Sequence, residues 1–319
     1  MPKVIYGGQA LEREEDQSVL DCLLAAGVDA PYSCRSGTCQ TCMMRAVSGE
    51  VPERAQAGLK DVYAAQNYFL PCVCYPEGDL EITDPGDVGK LPAEVTSVES
   101  LGGGDILGIR LKPLTPLDYR AGQFIRFFKD EHLARNYSLA SVPALDDELS
   151  LHVRKVPGGL MTGWLFDHLK TGDTVTITEA AGDCLYVSGK PEQNLLLIGT
   201  GTGLAPLYGI IRDALYNSHR GEIRLYHGSV TPEGLYLDAA LRELAQQHPN
   251  FHYIPCVSGD NVPANARSGM VLDGVFADLP KLNGWRVFLC GHPEMVKSGT
   301  RKAFFAGASM NEIHADAFT

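Results

Sequence analysis

Three cysteines stand at positions 34, 39 and 42 in the run PYSCRSGTCQTCMMR, a C-x4-C-x2-C spacing, and FLPCVCYP supplies distant thiols at Cys72 and Cys74. Thiolates are soft, anionic ligands, and four of them in this pattern suit ferric iron bridged by sulfide in a 2Fe-2S cluster. Ser36, Gly37 and Thr38 are small enough for the loop to wrap such a group and turn backbone N–H groups toward its sulfurs. Three plainer readings compete: a zinc site on Cys39 and Cys42, a redox-active cysteine pair, or chance. Zinc sites of that kind usually join two paired motifs, and only one is present. A redox pair should open a helix after a strand, whereas this one sits in a glycine-containing loop.

A second chemistry-bearing run is Ile198-Gly199-Thr200-Gly201-Thr202-Gly203-Leu204-Ala205-Pro206, which follows the apolar strand LLLI and precedes a helical pattern. A glycine-rich strand-to-helix turn lets backbone N–H groups approach a pyrophosphate. The G-x-G-x-x-G fingerprint is absent, because position 204 is leucine. Taken alone, Cys290 in VFLCGHPEM reads equally well as a buried core cysteine.

The elements that must position these residues fall into three groups. KVIY, a turn at Gly7-Gly8, a second strand and a helical run from Ser18 to Ala26 precede the cysteine loop, with Leu20, Leu23 and Leu24 facing inward and Gly27 ending the helix. DLEIT reads as a closing strand, and DPGDVGKLP as a linker. From Ala93 to about Ser188 short strands are broken by turn residues, which predicts a small antiparallel barrel with one helical segment, Leu160 to Leu169. From Gln193 onward strands alternate with helices, the pattern of a parallel α/β unit. The expected domains are 1–88, 93–189 and 190–319, each of usual size.

At 319 residues and 45% hydrophobic, the chain suits several cores rather than one. The start lacks a signal-peptide layout and no long apolar run occurs, so a soluble, cytoplasmic protein without membrane contact is expected; a monomer is expected as well. Of nine cysteines, those outside the constellation are scattered, and Cys22, Cys184 and Cys256 read as packing residues. The net charge of -12 argues against nucleic acid as a partner. Residues 1–90 hold 7 Lys+Arg against 14 Asp+Glu, a surplus suited to solubility or to steering electron-transfer encounters.

Several of these runs resemble known families. The cysteine loop resembles the plant-type ferredoxins, in which the last ligand follows a short apolar run like Tyr68 to Pro71. That likeness selects Cys72 over Cys74, giving Cys34, Cys39, Cys42 and Cys72 as the metal ligands. Arg135-Asn136-Tyr137-Ser138 is similar to the R-x-Y-S motif of the ferredoxin-NADP reductase superfamily, and LHVRKVPGGLMTGWL to its phosphate-binding stretch. The resemblance implies an FAD-binding barrel: Arg135 on the pyrophosphate, Tyr137 stacked on the isoalloxazine, Ser138 at the N5 edge. His152, Val153 and Arg154 match the strand beside the cofactor, and Gly159, Leu160, Met161 and Thr162 open a helix whose N-terminus suits phosphate. Gly199, Thr200, Gly201, Thr202 and Gly203 match the superfamily's G-T-G-T-G-x-A-P turn, and Cys290-Gly291 the pair it places near nicotinamide. Phe318 and Asp316 match its C-terminal strand. Ser138, Cys290 and Phe318 are thus the expected residues at the reacting atoms.

The fold implied is a β-grasp-like ferredoxin domain, an antiparallel β-barrel and a parallel-sheet nicotinamide domain. This order is similar to reductase components of bacterial ring-hydroxylating dioxygenases and multicomponent monooxygenases. It implies NADH as donor, FAD as the splitter of its electron pair, and the 2Fe-2S cluster as the exit to a terminal oxygenase or a separate ferredoxin. From Leu225 to Leu241 there is no Lys or Arg for a 2'-phosphate, which favours NADH over NADPH, with Ser229 compatible with either. Two other readings stay open: a reductase for a deoxysugar dehydratase, ferric iron or quinone, or a non-enzymatic electron carrier.

Overall fold

Apolar alternation sorts the chain into three sheets carried by two separately packed units, Met1–Asp87 and Val88–Thr319. The computed structural model describes residues 2–37, 40–85 and 89–318.

In the first unit, β1 (Lys3–Tyr6), β2 (Gln9–Glu12), β3 (Met44–Ser48), β4 (Tyr68–Phe69) and β5 (Leu80–Thr83) form a mixed sheet in the order β2-β1-β5-β3-β4. β1 and β5 run parallel, with Val4 opposite Leu80, and the other pairs are antiparallel. Helix α1 (Val19–Ala25) buries Val19, Leu20, Cys22 and Leu23 against Val4, Met44, Phe69 and Ile82, the β-grasp arrangement. Ser18 starts it by accepting the Asp21 N–H at 3.1 Å, and Gly27, at φ +80°, ends it. A short helix, α2 (Asp61–Ala64), precedes β4.

The second unit opens with β6 (Lys90–Gly102), β7 (Ile106–Pro113), β8 (Phe124–Phe128), β9 (Ala134–Ser138), β10 (Leu149–Arg154) and β11 (Thr174–Thr178), with α3 (Leu160–Asp167) between the last two. All pairs are antiparallel in the order β10-β7-β6-β11-β8-β9. The sheet closes on itself where Leu139 bridges Leu151 and Ala140 N–H donates to the Ser150 carbonyl at 2.8 Å. β6 begins at Lys90, inside the run read as linker. Leu91 explains the difference: it pairs with Ile177 and is buried in the barrel core.

The remaining strands are β12 (Leu195–Thr200), β13 (Ile223–Ser229), β14 (Phe251–Val257), β15 (Arg267–Ser268), β16 (Arg286–Gly291) and β17 (Ile313–Ala317), all parallel in the order β15-β14-β13-β12-β16-β17. Helices α4 (Leu204–Tyr216) and α5 (Asp238–Gln247) cover one face, around Leu197, Leu225 and Phe288. Helices α6 (Val271–Asp278) and α7 (Pro293–Phe305) cover the other, around Ile198, Tyr226 and Leu289. Chain order reverses between β12 and β16, the place where open α/β sheets leave a crevice at their carboxyl ends. Among the described residues, no helix is long and apolar enough to cross a membrane.

Candidate cluster loop and cofactor cleft

The loop after α1 curls through three left-handed residues, Arg35 at φ +55°, Gly37 at +75° and Gln40 at +59°. Arg35 is anchored by an ion pair to Asp21 of α1 and lies over the Tyr32 ring at 5.2 Å. The Ser36 N–H points at Cys34 Sγ from 3.5 Å, and Cys34 itself is exposed. Cys42 and Cys72 are buried, and their thiols lie within hydrogen-bonding reach of each other. Cys39 and Thr38 fall outside the described residues. Cys74 has no exposed surface; its carbonyl accepts the Val19 N–H at 2.9 Å, and burial pushes its thiol up to about 12. It is a core residue. Among the described residues no three Cys, His, Asp or Glu side chains are gathered closely enough to hold a metal ion, and the set expected from the sequence includes Cys39, which lies outside them.

In the second unit a cleft of ≈ 1330 Å³ opens between the barrel and the carboxyl ends of the parallel strands. Its size exceeds the roughly 300–1,000 Å³ of single-ligand pockets and suits two large cofactors. On the barrel side, β9 contributes Arg135, Tyr137 and Ser138, and β10 contributes His152, Val153 and Arg154. Gly159, Leu160, Met161 and Thr162 line the cleft where α3 begins. No side chain caps that end, so its N–H groups are available to an anion. A Cβ on Gly159 would lie 2.6 Å from Thr162 Oγ1, the atom that accepts the Val156 N–H at 3.1 Å, so glycine is needed for this turn. The Tyr137 ring meets Phe127 edge-on at 6.3 Å, and burial raises its phenol well above the ordinary value.

Across the cleft, Thr200, Gly201 and Thr202 form the rim after β12, with Gly291 and His292 after β16 and Asp316 and Phe318 at the end of β17. Gly291, at φ +121°, packs so closely on this turn that a Cβ would lie 2.6 Å from the Thr200 carbonyl. Gly199 and Gly203 stand behind the wall: a Cβ at either would strike Leu207 at 2.8 Å or the Cys290 carbonyl at 2.2 Å. Cys290 also lies behind it, with no exposed surface and its Sγ 3.5 Å from Cys184 Sγ. Burial and the neighbouring Cys184 thiol hold it strongly protonated.

One feature of the wall is invisible in either motif. Ser138 Oγ donates to Asp316 Oδ2 at 2.7 Å, joining the barrel to the last strand across 178 positions of sequence. Burial raises the Asp316 carboxyl, against the opposing effect of the Ser138 hydroxyl. The pair lies on the cleft wall where the barrel and the last parallel strand meet.

Comparison with known families matches the three sheets in turn: a 2Fe-2S iron-sulfur cluster binding domain over residues 5–77, an oxidoreductase FAD-binding domain over 96–186 and an oxidoreductase NAD-binding domain over 197–301. The chain belongs to the ferredoxin-NADP reductase superfamily. It is an oxidoreductase whose domains bind 2Fe-2S, FAD and NAD, as the cysteine loop and the two glycine-rich turns led one to expect.

This reductase is 37% identical to the reductase subunit of an aromatic O-demethylase from Amycolatopsis sp., over 99% of this chain and 98% of that protein. It is 34% identical to the reductase component of a naphthalene 1,2-dioxygenase system from Pseudomonas putida, over 94% and 93%. Among solved structures, a cytochrome P450 reductase from Amycolatopsis aligns with TM-score 0.70 and 35% identity, covering 100% of this chain and 99% of that one. The ferredoxin reductase of a carbazole 1,9a-dioxygenase aligns with TM-score 0.65 and 26% identity, covering 100% and 98%.

Proposed function

We propose that this reductase takes electrons from NADH and delivers them singly, through its 2Fe-2S centre, to an oxygenase component or to that oxygenase's ferredoxin. When bound, FAD accepts a hydride's two electrons and the cluster passes them on one at a time. The cleft carries the reading, because it brings Arg135, Tyr137 and Ser138 opposite Gly201, Thr202 and Phe318. In this reading Arg135 and the α3 N-terminus hold the flavin pyrophosphate, Tyr137 supports the ring system, and the Thr200–Thr202 rim holds the dinucleotide phosphates. Ser138 and Asp316 hold a proton near the reacting edge, and Phe318 covers it until nicotinamide enters. Cys290 acts from behind the wall as a packing residue. Cys34, Cys42 and Cys72, with Cys39, hold the cluster.

The preference for NADH rests on the rim beyond β13. Ser229 and Val230 line it, and of the cations on the cleft wall among the described residues, Arg126, Arg135 and Arg154 belong to the barrel. Lys302 lies 3.5 Å from Asp273, while Arg224 and Arg242 are held by Glu222 and Asp238, each at 2.7 Å. Among the described residues of that rim, a 2'-phosphate would find no cation that is not already paired with a carboxylate. Ferricyanide reduction driven by either nucleotide tests this: kcat/KM should favour NADH by at least about tenfold, an energy difference of ~1.4 kcal/mol. Equal or reversed preference would overturn it.

Oxygenase partners are supported by the relatives that serve aromatic O-demethylase and dioxygenase systems. Another relative, at 29% identity, is a CDP-6-deoxy-L-threo-D-glycero-4-hexulose-3-dehydrase reductase from Yersinia pestis, so a dehydratase partner is the second reading. A monomer in solution completes the proposal.

A further inference from the structure

Beneath the rim, three side chains from different elements meet in a buried array. His227, on β13 and opposite Gly199 in the register, has no exposed surface. Its Nε2 lies 3.3 Å from the Gly201 carbonyl, and its Nδ1 is buried without a hydrogen-bond partner. Tyr236 stands edge-on to the His227 ring at 5.8 Å and to the His152 ring at 5.3 Å, with its hydroxyl 3.1 Å from His152 Nδ1. Burial holds His227 neutral, its imidazole brought down to about 4. A neutral ring has one N–H, and among the described residues the acceptor it meets is the Gly201 carbonyl, so Nε2 carries the proton.

An apolar side chain would fill this space without a buried, unpartnered nitrogen, so the imidazole must contribute something packing does not. What it adds is a donor to one carbonyl of the glycine turn. Gly201 has φ +54° and begins a turn that runs directly into α4, and no side chain caps either Thr200 or Gly203. The Gly201 carbonyl also accepts the Leu204 N–H, so His227 adds a second donor to it, while the N–H groups at the start of the turn have no partner within the turn and are available to an anion. Arg154 lies on the other side of the same residue, its Nη1 3.3 Å from where a Gly201 Cβ would stand.

We infer that His227 is a positioning residue for the dinucleotide: its Nε2–H fixes the Gly201 carbonyl and so presents the rim amides to the pyrophosphate of NADH. The inference rests on the reading of the Thr200–Thr202 rim as the dinucleotide site.

The test is steady-state NADH oxidation by ferricyanide with the full-length holoenzyme, its FAD content and thermal midpoint measured alongside. His227→Phe should raise KM for NADH by about tenfold, with KM carrying most of the fall in kcat/KM. His227→Gln, whose amide can reach the same carbonyl, should recover most of that loss. If His227→Phe does not fold, His227→Asn, with a shorter amide, should show the raised KM against His227→Gln. An unchanged KM in the folded Phe or Asn variant, or a Gln variant as impaired as they are, would overturn the inference while wild-type turnover leaves the dinucleotide site standing. Wild-type protein that oxidises neither NADH nor NADPH would instead remove the site reading and this inference with it.

Discussion

Cys72 and Cys74 lie two positions apart in one short run and are both buried, but their neighbours differ. Cys72 faces Cys42, whereas Cys74 turns into the core beneath α1. Cys72→Ala should therefore abolish the cluster's visible absorption while FAD remains bound. Cys74→Ala should keep the cluster and lose on the order of 1 kcal/mol of stability, as for a small cavity. Absorption spectra and thermal unfolding check both, and loss of the cluster on removing Cys74 would reverse the assignment. The Cys34–Cys39–Cys42 spacing is legible in sequence because one loop carries all three residues. The Ser138–Asp316 contact is not, since it forms only when the barrel and the last parallel strand are assembled. His227 escapes for a related reason: a lone histidine in an apolar strand gives no sign of which carbonyl it will meet.

Elements are legible where local pattern and local chemistry agree, as in α1, whose start at Ser18 and end at Gly27 are each marked by one residue. The start of β6 was hidden because Pro, Gly and Asp crowd the residues before it, while only the partner strand reveals that Leu91 has a core to enter. The edge of the parallel sheet depends on an ionic clamp that no local pattern announces. Arg286, buried at the start of β16, donates to Glu312 just before β17 at 2.7 Å, and Lys190 donates to the same carboxylate at 2.6 Å. Burial pushes the Glu312 carboxyl up, but the hydrogen bonds from Arg286 and Lys190 win and bring it down from 4.5 to about 2. A depressed carboxyl stabilises the fold above its unfolded value and loses that contribution as pH falls through the folded one. Glu312→Gln should thus be less stable than wild type at pH 6, and the gap should close as pH falls from about 4.5 toward 2. Denaturation measured across that range checks it; a gap independent of pH would mean the clamp works by packing alone.

At the scale of the whole molecule, the order of domains was readable because each carries its own short-range signature and all three lie on one chain. How strongly the acidic first segment guides a partner is a matter of surface charge, and Glu50 and Glu53 are exposed there. Replacing both with lysine should slow transfer to the protein acceptor, more so at low salt, and leave ferricyanide reduction unchanged. Unchanged transfer to the acceptor would reduce that surplus to solubility. The central claim is that one chain accepts electrons in pairs and releases them singly. Anaerobic titration with NADH, followed by absorbance, reads this directly: the flavin and cluster bands should both bleach, with about 1.5 equivalents consumed per chain, falling to about 1 in Cys72→Ala. A flavin that bleaches while the cluster bands of the wild type stay oxidised would contradict it.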